Sequence, residues 1–185
     1  LFAGVFIAYG VVALLLPAGR VPEFLGAQLQ RFSGTHSTLQ KLHFGSFESL
    51  ARRNLSVAAI FFLLSIFYRS GGSVLAIAWN ASVWSSCLAW MSRLSSDEAG
   101  PAVVYVKVLA AVSPHMVGEV AGYVLASMAG IFLSRGLVKY PLGSDRFQRV
   151  GAAVLGIAVA AAGLVALSAW LEATLAPGLL RALFA

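Results

Sequence analysis

Residues 101–135 read PAVVYVKVLAAVSPHMVGEVAGYVLASMAGIFLSR, and how this stretch divides decides how often the chain crosses a bilayer. A transmembrane helix needs about 20 predominantly apolar residues. The part from His115 to Leu133 is long enough alone, whereas Pro101 to Val112 reaches only about half a membrane thickness at roughly 1.5 Å per residue. Between them sits Ser113-Pro114, and a residue before proline is pushed away from helical backbone. Two readings follow: one long kinked helix from Pro101 to Arg135, or a short re-entrant helix followed by a full span. Basic residues favour the second. Arg93 precedes the stretch and Arg135 to Arg149 follow it. Lys/Arg beside a span marks the cytoplasmic face, so a hairpin entry would put both flanking loops on one side. Lys107, inside the shorter half, fits an interfacial or partly wet setting, or a snorkelling amine.

Composition decides the solvent. Of 185 residues, 59% are hydrophobic and 11% charged, with a mean hydropathy of +0.86. Soluble domains average about 45–50% apolar and roughly 25% charged. With half that charge, the chain lacks the polar surface to cover a water-soluble body, so the excess faces lipid. The formal net charge of +6 sits largely between the apolar runs, at Arg52-Arg53, Arg135, Lys139, Arg146 and Arg149. That placement fits membrane lipids as partners and excludes nucleic acid, for which an aromatic-basic groove pattern is missing. The single Cys87 excludes an internal disulfide and a cysteine metal cluster, and its apolar setting predicts a buried thiol.

Outward from the central stretch, the first apolar run is Leu1 to Ala18, read as a membrane span rather than a cleavable leader. Residues 20–48 form the most polar segment. There Phe24, Leu25, Gln28, Leu29 and Phe32 predict a short amphipathic interfacial helix, broken at Ser33-Gly34-Thr35. Ser46 is placed to cap a second long helix through Arg52-Arg53-Asn54 to Tyr68. Ser70-Gly71-Gly72-Ser73 predicts a tight turn into a third span, roughly Val74 to Met91. The Gly/Ala-rich run from about Arg146 to Leu171 is the last span, and Pro177-Gly178 sets off a short tail. The expected fold is an all-α, polytopic transmembrane helix bundle. It forms a single domain over 1–185, with about five full spans plus a short re-entrant or broken helix. If the positive segment after the first span is cytoplasmic, Leu1 lies outside.

Polar residues inside such spans are costly and usually face protein or a polar cavity. His115 and Glu119 lie four apart and share a helix face. Tyr123, one turn on, is a donor for Glu119. Asn54 and Asn80 are amides within apolar runs that need partners. The five are candidates for a functional polar site, such as a proton or ion site. The competing reading is a structural, hydrogen-bonded set. Gly118, Gly122, Ala126 and Gly130 recur every four residues and form a ridge for close helix packing. Trp79, Trp84 and Trp90 read equally well as interface or packing residues.

Catalytic patterns are missing. His115-x3-Glu119 is not His-Glu-x-x-His, and His36 and His43 stand far away in the polar segment. The sequence has no phosphate-binding Gly-rich loop and offers no cofactor or metal motif. A transporter would be favoured by inverted repeats, but the two halves do not match; the broken segment at Ser113-Pro114 is the one pointer to that class.

Three segments together resemble the SpoIIM-like (stage II sporulation protein M) family of integral membrane proteins. They are ESLARRNLSVAAIFFLLSIF with Asn54, GGSVLAIAWN with Asn80, and SPHMVGEVAGYVLASMAGIFLSRGL. The third carries the most information, matching the family's Pro-His-Gly…Glu and small-residue helix at Pro114, His115, Glu119 and Gly130. Met116 stands where the family usually has glycine, and Ala121 where a proline is common. The resemblance implies a multi-helix protein of the cell membrane without catalytic chemistry. Its implied role is scaffolding in a membrane complex, as a homo-oligomer or with other membrane proteins. Small-solute or ion transport through the Glu/His site is the alternative. The namesake acts in engulfment with cell-wall hydrolases, but nothing in this sequence marks a spore former.

Overall fold

A computed structural model describes residues 1–29, 45–95 and 100–184. Every regular element among them is helical: α1 (Phe2–Leu15), a 3-10 turn (Ala18–Arg20), α2 (Val21–Leu29), α3 (Phe47–Tyr68), α4 (Ser70–Leu94), α5 (Pro101–Lys139), α6 (Asp145–Thr174) and α7 (Ala176–Phe184). The helices α3 to α6 are long and apolar enough to cross a bilayer, whereas α1 is apolar but has 14 residues. Its rise is about 21 Å against a hydrocarbon core of about 30 Å. The chain is thus a multi-pass membrane protein with four span-length helices among the described residues and one shorter apolar helix, where about five full spans were expected. Phe32, the break at 33–35, His36 and His43 lie outside the described residues.

The central stretch is one helix. α5 runs unbroken for 39 residues with Pro114 inside it, so no separate re-entrant element exists. Proline removes one N–H and crowds the preceding turn. Ending the helix there would instead leave several amides and carbonyls to be satisfied in hydrocarbon, which costs more. A continuous helix sends its flanking loops off from opposite ends, and the charge argument for a hairpin gives way.

The turn between α3 and α4 also differs from expectation. It is made at Arg69, in the left-handed region at φ 51°, and α4 starts at once with Ser70. Gly72 serves packing instead. A β-carbon on it would collide with the Leu64 carbonyl oxygen, so its absence lets the first turn of α4 lie against α3. Ser65 Oγ and Ser73 Oγ join across this approach at 2.8 Å.

The chain groups into two compact units. The first takes α1, α2, α4 from Ile77, α5 to Val112 and α7 from Gly178. Its core joins Ala13 of α1, Val21, Leu25 and Leu29 of α2, and Val83, Cys87 and Ala89 of α4. The spacing of four in α2 makes it amphipathic, but its buried face is Val21-Leu25-Leu29, with Phe24 exposed. Arg93 Nη1 donates to the Ala13 carbonyl at 2.7 Å and to the Leu16 carbonyl at 2.5 Å, so a cation completes the end of α1. Lys107 Nζ donates to the Leu183 carbonyl at 3.2 Å, which accounts for a lysine inside an apolar helix. Ser85 Oγ donates to the Phe6 carbonyl at 2.5 Å and meets Tyr105 Oη at 3.1 Å.

The second unit contains α3, α4 to Ala76, α5 from Ser113, and α6. Ser46 caps α3 by accepting from Ser49 N at 3.4 Å, and Ser144 caps α6 by accepting from Phe147 N at 3.2 Å. Successive contacts fix the directions. Tyr123 and then Gly130 of α5 meet Phe61 and then Phe62–Ser65 of α3, so these helices run parallel. Gly118, Gly122 and Gly136 meet Ser168, Val165 and Val150 in turn, so α6 runs antiparallel to α5. The ridge expected for close helix packing is occupied by α6 and α3 of the same chain. The reason is local: a β-carbon at Gly122 would sit 2.6 Å from Val165 Cγ2, and van der Waals packing at such short separation is what holds helices together in lipid.

Gly130→Leu would push a side chain into the Phe62 carbonyl and Ser65, where a new β-carbon has no room. The expected loss is about 1–3 kcal/mol or more, read as a lowered unfolding midpoint in detergent. Gly151→Ala, where a β-carbon meets nothing within 4 Å, should be neutral or stabilising by up to about 1 kcal/mol.

Candidate functional site

The close packing of α5 on α6 and α3 brings polar groups of all three helices together. Glu119, 4% exposed, receives a hydrogen bond from Tyr123 Oη at 3.4 Å. The Tyr123 ring is held by Phe61 of α3, stacked at 5.0 Å between centroids. Glu172 near the end of α6 and Arg53 near the start of α3 both lie within electrostatic reach of Glu119. Arg53 Nη2 stands 3.9 Å from Glu172 Oε1; the arginine side chain is 58% exposed and the glutamate 14%. Arg53 Nε also donates to Asn54 Oδ1 at 3.4 Å. The Asn54 amide faces Glu172 without completing a well-formed hydrogen bond, and its Nδ2 is buried without a partner among the described residues.

The set thus grades from a sealed carboxylate at Glu119, through Glu172, to a guanidinium reaching out of the bundle. It lies at the end where α3 begins and α6 finishes. Leu50 and Ala51 of α3 pack there on Ala169 of α6 and seal one side.

Of the sequence candidates, Asn54, Glu119 and Tyr123 meet in this cluster. His115 is buried one turn before Glu119 and makes no hydrogen bond among the described residues. Asn80 belongs to the first unit, buried in α4, and its Nδ2 also has no hydrogen-bond partner among the described residues. Gly118, Gly122 and Gly130 supply the closeness that lets the cluster form, and Ala126 is buried on the same face.

Sequence reasoning missed Glu172 and Arg53. Glu172 stood one residue beyond the expected end of the last span, and Arg53 looked like an ordinary juxtamembrane cation. The usable signal was Arg53 directly beside Asn54, one polar pair at the mouth of a span.

Two carboxylates against one guanidinium leave an acidic excess if all three are charged. Such a set can hold the helices together, or accept a proton or cation in exchange for the arginine's contact. Among the described residues, no group of three His, Cys, Asp or Glu is placed to hold a metal ion.

The chain matches the family described as SpoIIM, Stage II sporulation protein M, over residues 1–177. No curated protein and no solved structure matches the chain.

Arg53 is more than half exposed, so its pair with Glu172 alone is worth at most about 1 kcal/mol. Its removal should cost more, because it leaves two carboxylates facing each other. Arg53→Ala is expected to destabilise, and adding Glu172→Gln should recover part of the loss, with a coupling of about 0.5–3 kcal/mol. Denaturation of the four proteins of this cycle in one detergent measures it; strict additivity would remove the cluster as an energetic unit.

Proposed function

The chain belongs to the SpoIIM (stage II sporulation protein M) family, and from that premise we propose that it is a non-enzymatic component of a cell-membrane complex, holding partner subunits through the outer face of α6. One observation carries this reading. Val154, Ala161, Val165 and Ala169 are buried inside the second unit, while Ala152, Gly156, Val159, Gly163 and Leu167 lie exposed on the opposite side of the helix. A β-carbon on Gly156 or Gly163 would meet nothing within 4 Å. Glycine in a helix costs about 0.5–1 kcal/mol relative to alanine, and lipid gives nothing back for it. A second helix does, because small residues let backbones approach. The partner is another copy of the chain or a different membrane protein.

A second reading has its own observation. Glu119 and Glu172 place two carboxylates from different helices beside Arg53, and ionisable groups buried in a membrane bundle often mark an ion or proton path. On this reading the protein is a small transporter or channel.

The two readings separate experimentally. As a complex component, Gly156→Leu and Gly163→Leu should shift the assembly to a smaller species on native gels while the unfolding midpoint holds. A cysteine at position 156, in a Cys87→Ser background, should cross-link to the partner. In proteoliposomes, neither the wild type nor Glu119→Gln should move ions. Saturable flux abolished by Glu119→Gln would replace the first reading with the second.

A further inference from the structure

The two ends of the second unit differ in charge. Because α3 and α5 run parallel and α6 runs against them, the end of α3, the end of α5 and the start of α6 finish together. Gly130 meets Phe62 and Ser65, and Gly136 meets Val150 and Phe147. This register sets Arg69, Arg135 and Arg149 at about one level, with Lys139 and Arg146 a turn beyond. All five are exposed, and no ion pair among the described residues involves them. From Arg135 to Arg149 the only acid is Asp145, in the first turn of α6, and none lies between Phe61 and Ala76. Five cations against one acid leave an excess at this end. At the other end, Arg52 and Arg53 stand with three carboxyl groups, Glu48, Glu119 and Glu172.

The level of these cations is marked by their neighbours. Phe67 and Tyr68 are exposed at the end of α3, Leu142 is 74% exposed in the α5–α6 turn, and Lys139 Nζ stands 5.6 Å above the Tyr140 ring. Aromatic side chains concentrate at headgroup depth. A large apolar residue in a turn fits the same depth. Three separate elements therefore carry guanidinium and ammonium groups around one rim where apolar surface gives way to polar. Guanidinium groups match phosphate oxygens bidentately.

We propose that this basic rim is a binding site for anionic phospholipid headgroups, built from the α3–α4 turn and the α5–α6 hairpin. The Glu119 cluster lies at the opposite end of α3. The proposal does not depend on either functional reading above.

Native mass spectrometry of the full chain, released from detergent with phosphatidylglycerol or phosphatidylcholine added at equal concentration, tests it. Retention of phosphatidylglycerol over phosphatidylcholine by about tenfold or more is expected. Each of Arg69→Gln, Arg135→Gln, Lys139→Gln, Arg146→Gln and Arg149→Gln should weaken retention, by about fivefold per cation removed. Arg52→Gln, at the other end, should leave it unchanged. These exposed single substitutions keep the test readable should a multiple variant fail to fold. Equal retention of the two lipids, or single variants that match the wild type, would overturn the proposal. So would displacement of the lipid by inorganic phosphate at the same concentration, which would reveal a site for free anions.

Discussion

Inside a bilayer no water is at hand to satisfy a free amide or carbonyl, and this one constraint shapes most of the molecule. It keeps α5 helical through Pro114. It also explains the use of the few polar side chains within the spans. Ser65, Ser92 and Ser168 each return a hydroxyl to the carbonyl four residues back on their own helix, at 2.7, 2.7 and 2.8 Å. Arg93 and Lys107 spend their donors on carbonyls at the ends of α1 and α7. These charged groups are tolerated because each terminates a helix that would otherwise leave acceptors bare.

With backbone groups satisfied within each helix, association between helices rests on contact. Lipid is as apolar as leucine, so burying leucine in a bundle gains little, and close approach of small residues gains more. The second unit follows that rule. Glycines on α5 meet α6 on one side and α3 on the other, and the polar cluster is a consequence of their spacing. Were the helices held apart by β-carbons at 118 and 122, Glu119 could not share its surroundings with Glu172. Packing and polar chemistry are thus the same feature seen at two places along the helix.

Much of this was legible in the chain. Apolar runs of span length, the serine cap at Ser46, the ridge on α5 and the candidate Glu119 each follow from local pattern. At three places the local pattern left the outcome to packing. Proline at 114 argued for a break, and hydrocarbon argued against one. The Gly71-Gly72 pair looked like a turn but serves a packing contact, with Arg69 taking the unusual backbone. In α2 the spacing announced an amphipathic helix, yet Phe24, the largest apolar side chain there, lies off the buried face.

The sequence by itself determined that the chain lives in a membrane, that it is helical, and which carboxylate would be buried, because hydropathy and side-chain period are local properties. Its likeness to the SpoIIM family was also carried by short, local segments. Only the tertiary structure decided what faces what. Arg53, Asn54, Glu119 and Glu172 are far apart in the chain, and nothing in their own neighbourhoods specifies that three helices bring them to one end. That depends on the register in which small residues of α5 seat against α3 and α6, and register is a property of the pairing, not of any one helix.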